Sequence, residues 1–138
     1  MRDFEKNKLK ELNYELFEIQ PNPNLYYEIA GHTDIHCCKI NNSLVVSPNL
    51  SIKNAINGLS NLSFKYPFDI PYNVCIIGNF AIHNFKYTDK KILEILDKNN
   101  FIKIHINQGY SKCSIAVIDE KSVIVTDKSI ANIFKQFT

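Results

Sequence analysis

Within the ten residues GHTDIHCCKI, positions 31 to 40, stand His32, Asp34, His36, Cys37 and Cys38. Imidazole, carboxylate and thiol groups at this density suit either acid–base and nucleophilic chemistry or a soft-metal site. A metal site would need Cys37 and Cys38 on one ion. In a strand, adjacent side chains point to opposite faces, which splits that pair. We therefore expect no metal and no cofactor. The plainer reading of the stretch is a hydrogen-bonded turn entering a strand, with His36 outward-facing or structural. Two other chemistry-bearing residues lie beside turns, Asp69 in YPFDIPY and Cys113 in SKCSIAV. Cys75, His83 and His105 fall inside apolar runs and read as core or structural residues. No C-x-x-C pair exists among Cys37, Cys38, Cys75 and Cys113, so the cysteines are not a disulfide or zinc framework. Most read as small buried apolar groups.

The elements that must position these residues repeat along the chain. Three segments share one order: Ile35 to Asn57, Asn73 to Asn99 and Lys112 to Phe137. Each reads as an apolar strand, a polar turn, a second strand, a capping residue and a short amphipathic helix. The turns Asn41-Asn42, Gly78-Asn79 and Asp119-Glu120 favour hairpin geometry. Pro48, Thr88 with Asp89, and Asp127 open the three helices, the last spanning 128–137. Third strands are expected in NLSFKY and FIKIHINQ, which makes the unit ββαβ. Units one and three align without gaps at an offset of 78 residues, pairing Ile40 with Ile118, Val45 with Val123 and Ser51 with Ser129. Such periodicity marks units that cannot bury their apolar faces alone.

Bulk properties narrow the class. The 138 residues are 45% hydrophobic with a net charge of +2, which suits one globular domain with its own core. Basic and acidic residues are mixed along the chain, so no basic stripe tracks phosphates and no nucleic-acid partner is expected. No apolar run approaches the roughly 20 residues that span a bilayer. The opening MRDFEKNKLKELNYELFEI is charged and lacks the apolar core of a secretory signal. A cytoplasmic protein without a membrane partner is expected. Residues 1–15 read as a charged extension, a solvated helix or a frayed tail, and residues 16–138 as the repeat domain.

Tandem ββαβ units around a pseudo-symmetric axis resemble the pentein fold of guanidine-modifying enzymes, among them arginine deiminase, agmatine deiminase and dimethylarginine hydrolase. More closely, NPNLYYEIAGHTDIHCCKI, YPFDIPYNV, FKYTDKKILE and QGYSKCSIAVIDEKSVIVTDKSIA resemble an uncharacterised domain-of-unknown-function family assigned to that fold. The expected fold class is α/β, a partial pentein-like propeller of two and a half to three units. The resemblance implies a cysteine nucleophile, a histidine acid/base and carboxylates that grip a guanidinium. His32-Thr33-Asp34, preceded by Gly31, matches the His-x-Asp motif that opens a strand, and Cys113-Ser114 matches the nucleophile. The implied roles are Cys113 as nucleophile, His32 as acid/base, and Asp34 with Asp69 as ligands of a small guanidino compound.

The repeat register agrees with that placement. It sets Cys113 level with Ile35, next to Asp34, and the equivalent of unit two near Tyr72, just after Asp69. Lys112 beside Cys113 is expected to depress the thiol pKa. A carboxylate pair suits a planar guanidinium. The pattern also departs from the family. A further upstream carboxylate of the enzymes has no counterpart, and penteins close with more units than this chain carries. The chain reads as a shortened member whose open sheet edge predicts pairing with a second copy or a partner that completes the ring. A non-catalytic binding or assembly module, or a fragment of an enzyme-like ancestor, is the alternative function class.

Overall fold

The computed structural model describes residues 2–136. Helix α1 (Asp3–Glu11) opens with Glu5 accepting from the Arg2 backbone amide and guanidinium, and buries none of its residues. It is the solvated helix of the two forms expected for the extension. The domain that follows is mixed α/β with three small sheets. Among the described residues no helix is long and apolar enough to cross a membrane.

Each sheet starts with a hairpin. Strands β1 (Cys37–Ile40) and β2 (Ser43–Val46) pair antiparallel through Asn41-Asn42, with Asn41 at φ 52. Strands β4 (Cys75–Ile77) and β5 (Phe80–His83) do the same through Gly78-Asn79, with Gly78 at φ 51. Both turns need a left-handed residue, which Asn and Gly supply at little cost. A third hairpin joins β7 (Ile115–Val117) to β8 (Val123–Val125).

The second unit is ββαβ. Helix α3 (Lys90–Lys98) leads into β6 (Ile102–His105), which lies parallel to β5. Asp89, not Thr88, caps the helix, accepting from the Lys91 amide. Ile92 and Leu96, four apart on one face, are fully buried. The third unit ends in α5 (Lys128–Phe134), capped by Asp127 as expected. The helix was expected to reach residue 137 but ends at Phe134, with residues 135–136 in a turn; Phe137 and Thr138 lie outside the described residues.

The first unit departs from expectation. No helix forms after Pro48. Residues 47–55 are turns, with Asn54 at φ 64, and the chain passes directly to β3 (Ile56–Asn57), parallel to β2. NLSFKY is likewise not a strand. The segment holds Pro48, Asn49, Ser51, Asn54, Asn57 and Gly58, a density of poor helix formers that the apolar spacing of Leu50, Ile52 and Ile56 does not offset. The strands also start later than expected. Thr33–His36 and Ser111–Ser114 are single helical turns, α2 and α4, that precede β1 and β7.

Helices join neighbouring units. Ile92 and Leu96 of α3 pack in one core with Ile40 and Val45 of the first sheet and Val74 and Ala81 of the second. Ile130 of α5 packs with Ile82 and Ile104 of the second sheet and Ile115 of the third. Among the described residues the sheets do not close into a barrel or propeller.

Candidate functional site

Each first strand is preceded by a tight turn. Asp34 is in α2, Cys113 is in α4, and Asn73 ends a turn in which its amide donates to the Ile70 carbonyl at 2.9 Å. These turns bring three side chains together. Asn73 is 39 residues after Asp34 and 40 before Cys113, so they occupy equivalent places in successive units. Asn73 is fully buried. Its Nδ2 donates to the Asp34 carbonyl at 3.0 Å, to Asp34 Oδ2 at 3.3 Å and to Cys113 Sγ at 3.2 Å. Its Oδ1 accepts from the backbone amides of Lys112 at 2.9 Å and Cys113 at 3.4 Å. The carboxamide both donates and accepts, and it fastens all three turns.

Cys113 is the one exposed cysteine of the four, and its thiol donates to Asp34 Oδ2 at 2.7 Å. Enclosure of the sulfur, with the Asp34 hydrogen bond and charge added, pushes the thiol up to about 12. Asn73 and Lys112 pull the other way without prevailing. The thiol expected to be depressed by Lys112 is therefore raised instead, because burial of the sulfur, with the Asp34 hydrogen bond and charge added, outweighs the ammonium.

The structure joins Asp34 to Cys113 by a hydrogen bond, and His32 makes none to either. His32 is exposed and caps α2 from an extended conformation, and its side chain makes no hydrogen bond among the described residues. Asp69 is buried and receives the Tyr110 hydroxyl on Oδ2, while Oδ1 has no partner among the described residues. Its observed partner is thus Tyr110, the residue that caps α4. Burial and the Asp69 carboxylate push the Tyr110 phenol up. Asn73 was missed at the sequence level. Its signal was the period itself, which points to Asn73 once the helical turns, rather than strand starts, are aligned.

The remaining histidines are explained by packing or exposure. His36 is buried with Nε2 2.7 Å from the Ala30 carbonyl. His83 is buried between Thr88 and Gly109, and His105 is exposed. Cys37, Cys38 and Cys75 are buried, and burial raises all three thiols. Among the described residues no three of His, Cys, Asp and Glu gather as a metal-binding group.

A groove of about 470 Å³ opens beside the cluster. Asp34, Lys39 and Lys112 form its polar wall, and Val74, Ile76, Ile115 and Val117 its apolar wall. The residues come from β1, β4, β7 and the turns that precede them, so the groove runs where the three units meet. A second hollow of about 490 Å³ lies between the second sheet and the third hairpin, around Ile77, Phe80 and Val123.

A family of unknown function, DUF6873, matches residues 1–138. No curated protein and no solved structure matches the chain.

Proposed function

The chain belongs to this family of unknown function, DUF6873, and we propose that its member described here binds a guanidinium or amidinium group at Asp34, against the Cys113 thiol. The observation that carries the reading is the 2.7 Å contact of Cys113 Sγ with Asp34 Oδ2. A carboxylate is a natural seat for a planar cation. A cation placed there adds positive charge beside the sulfur and takes over the carboxylate that now holds the thiol proton. Both effects lower the thiol pKa from its resting value of about 12. The nucleophile is thus made on ligand binding rather than held ready.

The reaction of this reading is hydrolysis of the guanidine carbon. The Cys113 thiolate forms a C–S bond with that carbon, and an amine or ammonia leaves with a proton from His32. Water then adds to the carbon with loss of a proton to His32, the C–S bond breaks, and a urea-type product departs. His32 is two positions before Asp34 with an unengaged ring, which supports its part in proton transfer. The pentein-like arrangement of this reading is supported by the convergence of Asp34, Asn73 and Cys113 from equivalent positions of three tandem units. Asp69 supports the site from behind, through Tyr110.

The test is incubation with a panel of alkylguanidines and amidines, read by ammonia release and by direct binding. Release that Cys113→Ala abolishes, with binding retained, is the expected result. Binding without release assigns a non-catalytic module. Absence of both overturns the proposal.

The third sheet supports a second proposal, self-assembly. Most apolar side chains of the first two sheets pack in cores with α3 and α5, Ile102 excepted, whereas Val117, Ile118 and Ile124 cluster exposed on the third hairpin. Adjacent exposed apolar residues on a short open sheet suit contact with a second copy. Light scattering should give a dimer or larger, and Ile124→Lys a monomer; a monomeric native chain would reject this.

A further inference from the structure

Helix α1 and the segment after it repeat the local structure of α3 and β6. Both helices have nine residues. Asn13 at φ 60 and Asn100 at φ 56 are each the second residue past the helix. The next amide then returns to the last turn: Tyr14 N–H donates to the Leu9 carbonyl and Phe101 N–H to the Leu96 carbonyl, both at 3.0 Å. Phe101, Ile104 and Ile106 are buried, whereas Ile102 and His105 between them are exposed. Counted from the same exit, Tyr14, Phe17 and Ile19 fall on the buried positions, and Glu15 and Glu18 on the exposed ones. Residues 3–20 thus carry the pattern of the helix-and-strand half of a unit. Yet Tyr14 is 62% and Phe17 56% exposed, and among the described residues no backbone hydrogen bond joins residues 15–20 to the rest of the chain. The Lys6–Glu18 ion pair, 2.9 Å long, lies at the surface and holds the segment weakly.

The third sheet shows the converse. In the first sheet β3 lies parallel to β2, and in the second β6 lies parallel to β5. Among the described residues the third sheet is β7 and β8 alone. The Thr126 amide donates to the Ser114 carbonyl at 3.2 Å, and the Ile118 amide to the Ser122 carbonyl at 3.0 Å. Ser122 and Thr126 therefore face β7, and by alternation the backbone groups of Val123 and Val125 face the other way. The first unit uses that same side. Ser47 faces β1 through its 2.8 Å bond to the His36 carbonyl, and the Val46 carbonyl receives the Gly58 amide, next after β3, at 2.8 Å. The hollow of about 490 Å³ continues the packed seam between units along β8. Ile77 and Phe134 line it, in the places that Ile40 and Leu96 hold one unit earlier, and those two share a core with Phe101. The entry to a third strand thus has a seat for an aromatic ring. We propose that residues 14–19 of a second copy add to β8 as the third, parallel strand of that sheet, with Tyr14 in the hollow and Phe17 and Ile19 turned inward. This rests on the self-assembly reading of the third hairpin and names the element that assembles. Each copy offers a strand without a sheet and a sheet without its third strand, so exchange between two copies closes as a dimer.

The test is light scattering of the native chain, with amide hydrogen exchange followed by mass spectrometry over the same concentrations. The native chain should assemble, and exchange across residues 15–20 should slow about tenfold or more as it does. Phe17→Asp should weaken assembly about tenfold or more, since it removes an aromatic ring from the joint. Glu15→Gln, at the position of exposed Ile102, should leave assembly unchanged. Melting curves establish that both variants are folded, and exchange on the native chain decides the matter where one is not. An assembled native chain whose residues 15–20 exchange freely overturns the inference, as does a folded Phe17→Asp chain that assembles like the native one; either leaves the self-assembly reading standing. A native chain that stays monomeric at every concentration overturns both.

Discussion

The Cys113 sulfur and the Asp34 carboxylate, 79 residues apart in the chain, lie 2.7 Å from one another. The contact joins the first unit to the third, and Asn73 of the second unit bonds to both. One residue from each unit thus meets at a single point. The pairing adds to the burial that holds the proton on the thiol.

Asp34→Asn should make Cys113 more reactive. The substitution removes the carboxylate's charge and its hold on the thiol proton, while the burial that contributes most to the rise remains. The thiol pKa should fall only part of the way from about 12. Each unit of fall raises the thiolate fraction at pH 8 about tenfold. Iodoacetamide alkylation against pH measures this, aided by the burial of the other three cysteines. An unchanged profile would show that Asp34 does not govern the thiol.

What was legible in the sequence was what short-range chemistry decides. Asn41-Asn42 and Gly78-Asn79 supply left-handed turn residues, and Asp127 caps a helix, so hairpins and α5 follow from neighbours in the chain. The convergence of Asp34 with Cys113 was legible through the repeat offset alone. The expected helix after Pro48 failed because the offset carried over from unit three to a stretch whose own residues resist helix. Treating residues 35 and 113 as strand starts hid the helical turns, and with them the place of Asn73. His32 was grouped with Cys113 on motif resemblance, which carries no information about where an exposed ring points.

Asn73→Ala should destabilise the fold and act on the thiol in the opposite sense to Asp34→Asn. It leaves the Lys112 and Cys113 amides and the Asp34 carbonyl without their side-chain partner. The Lys112 amide keeps the Asn73 backbone carbonyl at 3.4 Å and Cys113 is exposed, so the loss is about 1–3 kcal/mol. The lost hydrogen bond to Sγ also removes an influence that lowers the thiol pKa. Urea unfolding and the alkylation profile together check both signs. A stable variant with unaltered alkylation would refute the role given to Asn73.

Gly58→Ala should be costly and Gly31→Ala nearly neutral. A Cβ on Gly58 would sit 2.4 Å from the Tyr72 hydroxyl and 2.5 Å from its Cε1. That ring is fully buried and its hydroxyl donates to the Ser60 carbonyl at 2.7 Å, so it cannot swing aside. Overpacking of this kind costs about 1–3 kcal/mol or more. At Gly31 the nearest atom to a built Cβ is Pro21 Cγ at 4.0 Å, so the glycine before His32 is not demanded by crowding. Denaturation midpoints of the two variants compare them directly, and equal losses would contradict the assignment.

Stability should fall as pH drops through the range in which His83 refuses a proton. Its Nε2 lies 2.9 Å from the Gly109 carbonyl, which can only accept, so Nε2 carries the hydrogen. Nδ1, 2.6 Å from Thr88 Oγ1, then accepts from the hydroxyl. A second proton would sit at Nδ1, where burial opposes the charge, and the pKa is lowered from 6.5 to about 4. Between those values the unfolded chain binds the proton and the folded chain does not, so stability is full above 6.5 and is lost progressively down to about 4. The loss is roughly 3 kcal/mol and levels off below the folded pKa. Asp89 has its burial outweighed by hydrogen bonds that lower its pKa below 3.8, so its own contribution is lost beneath this window. Urea unfolding from pH 7.5 to pH 4 should therefore show a slope that His83→Gln flattens. Parallel slopes in the two proteins would mean that His83 is not the group responsible.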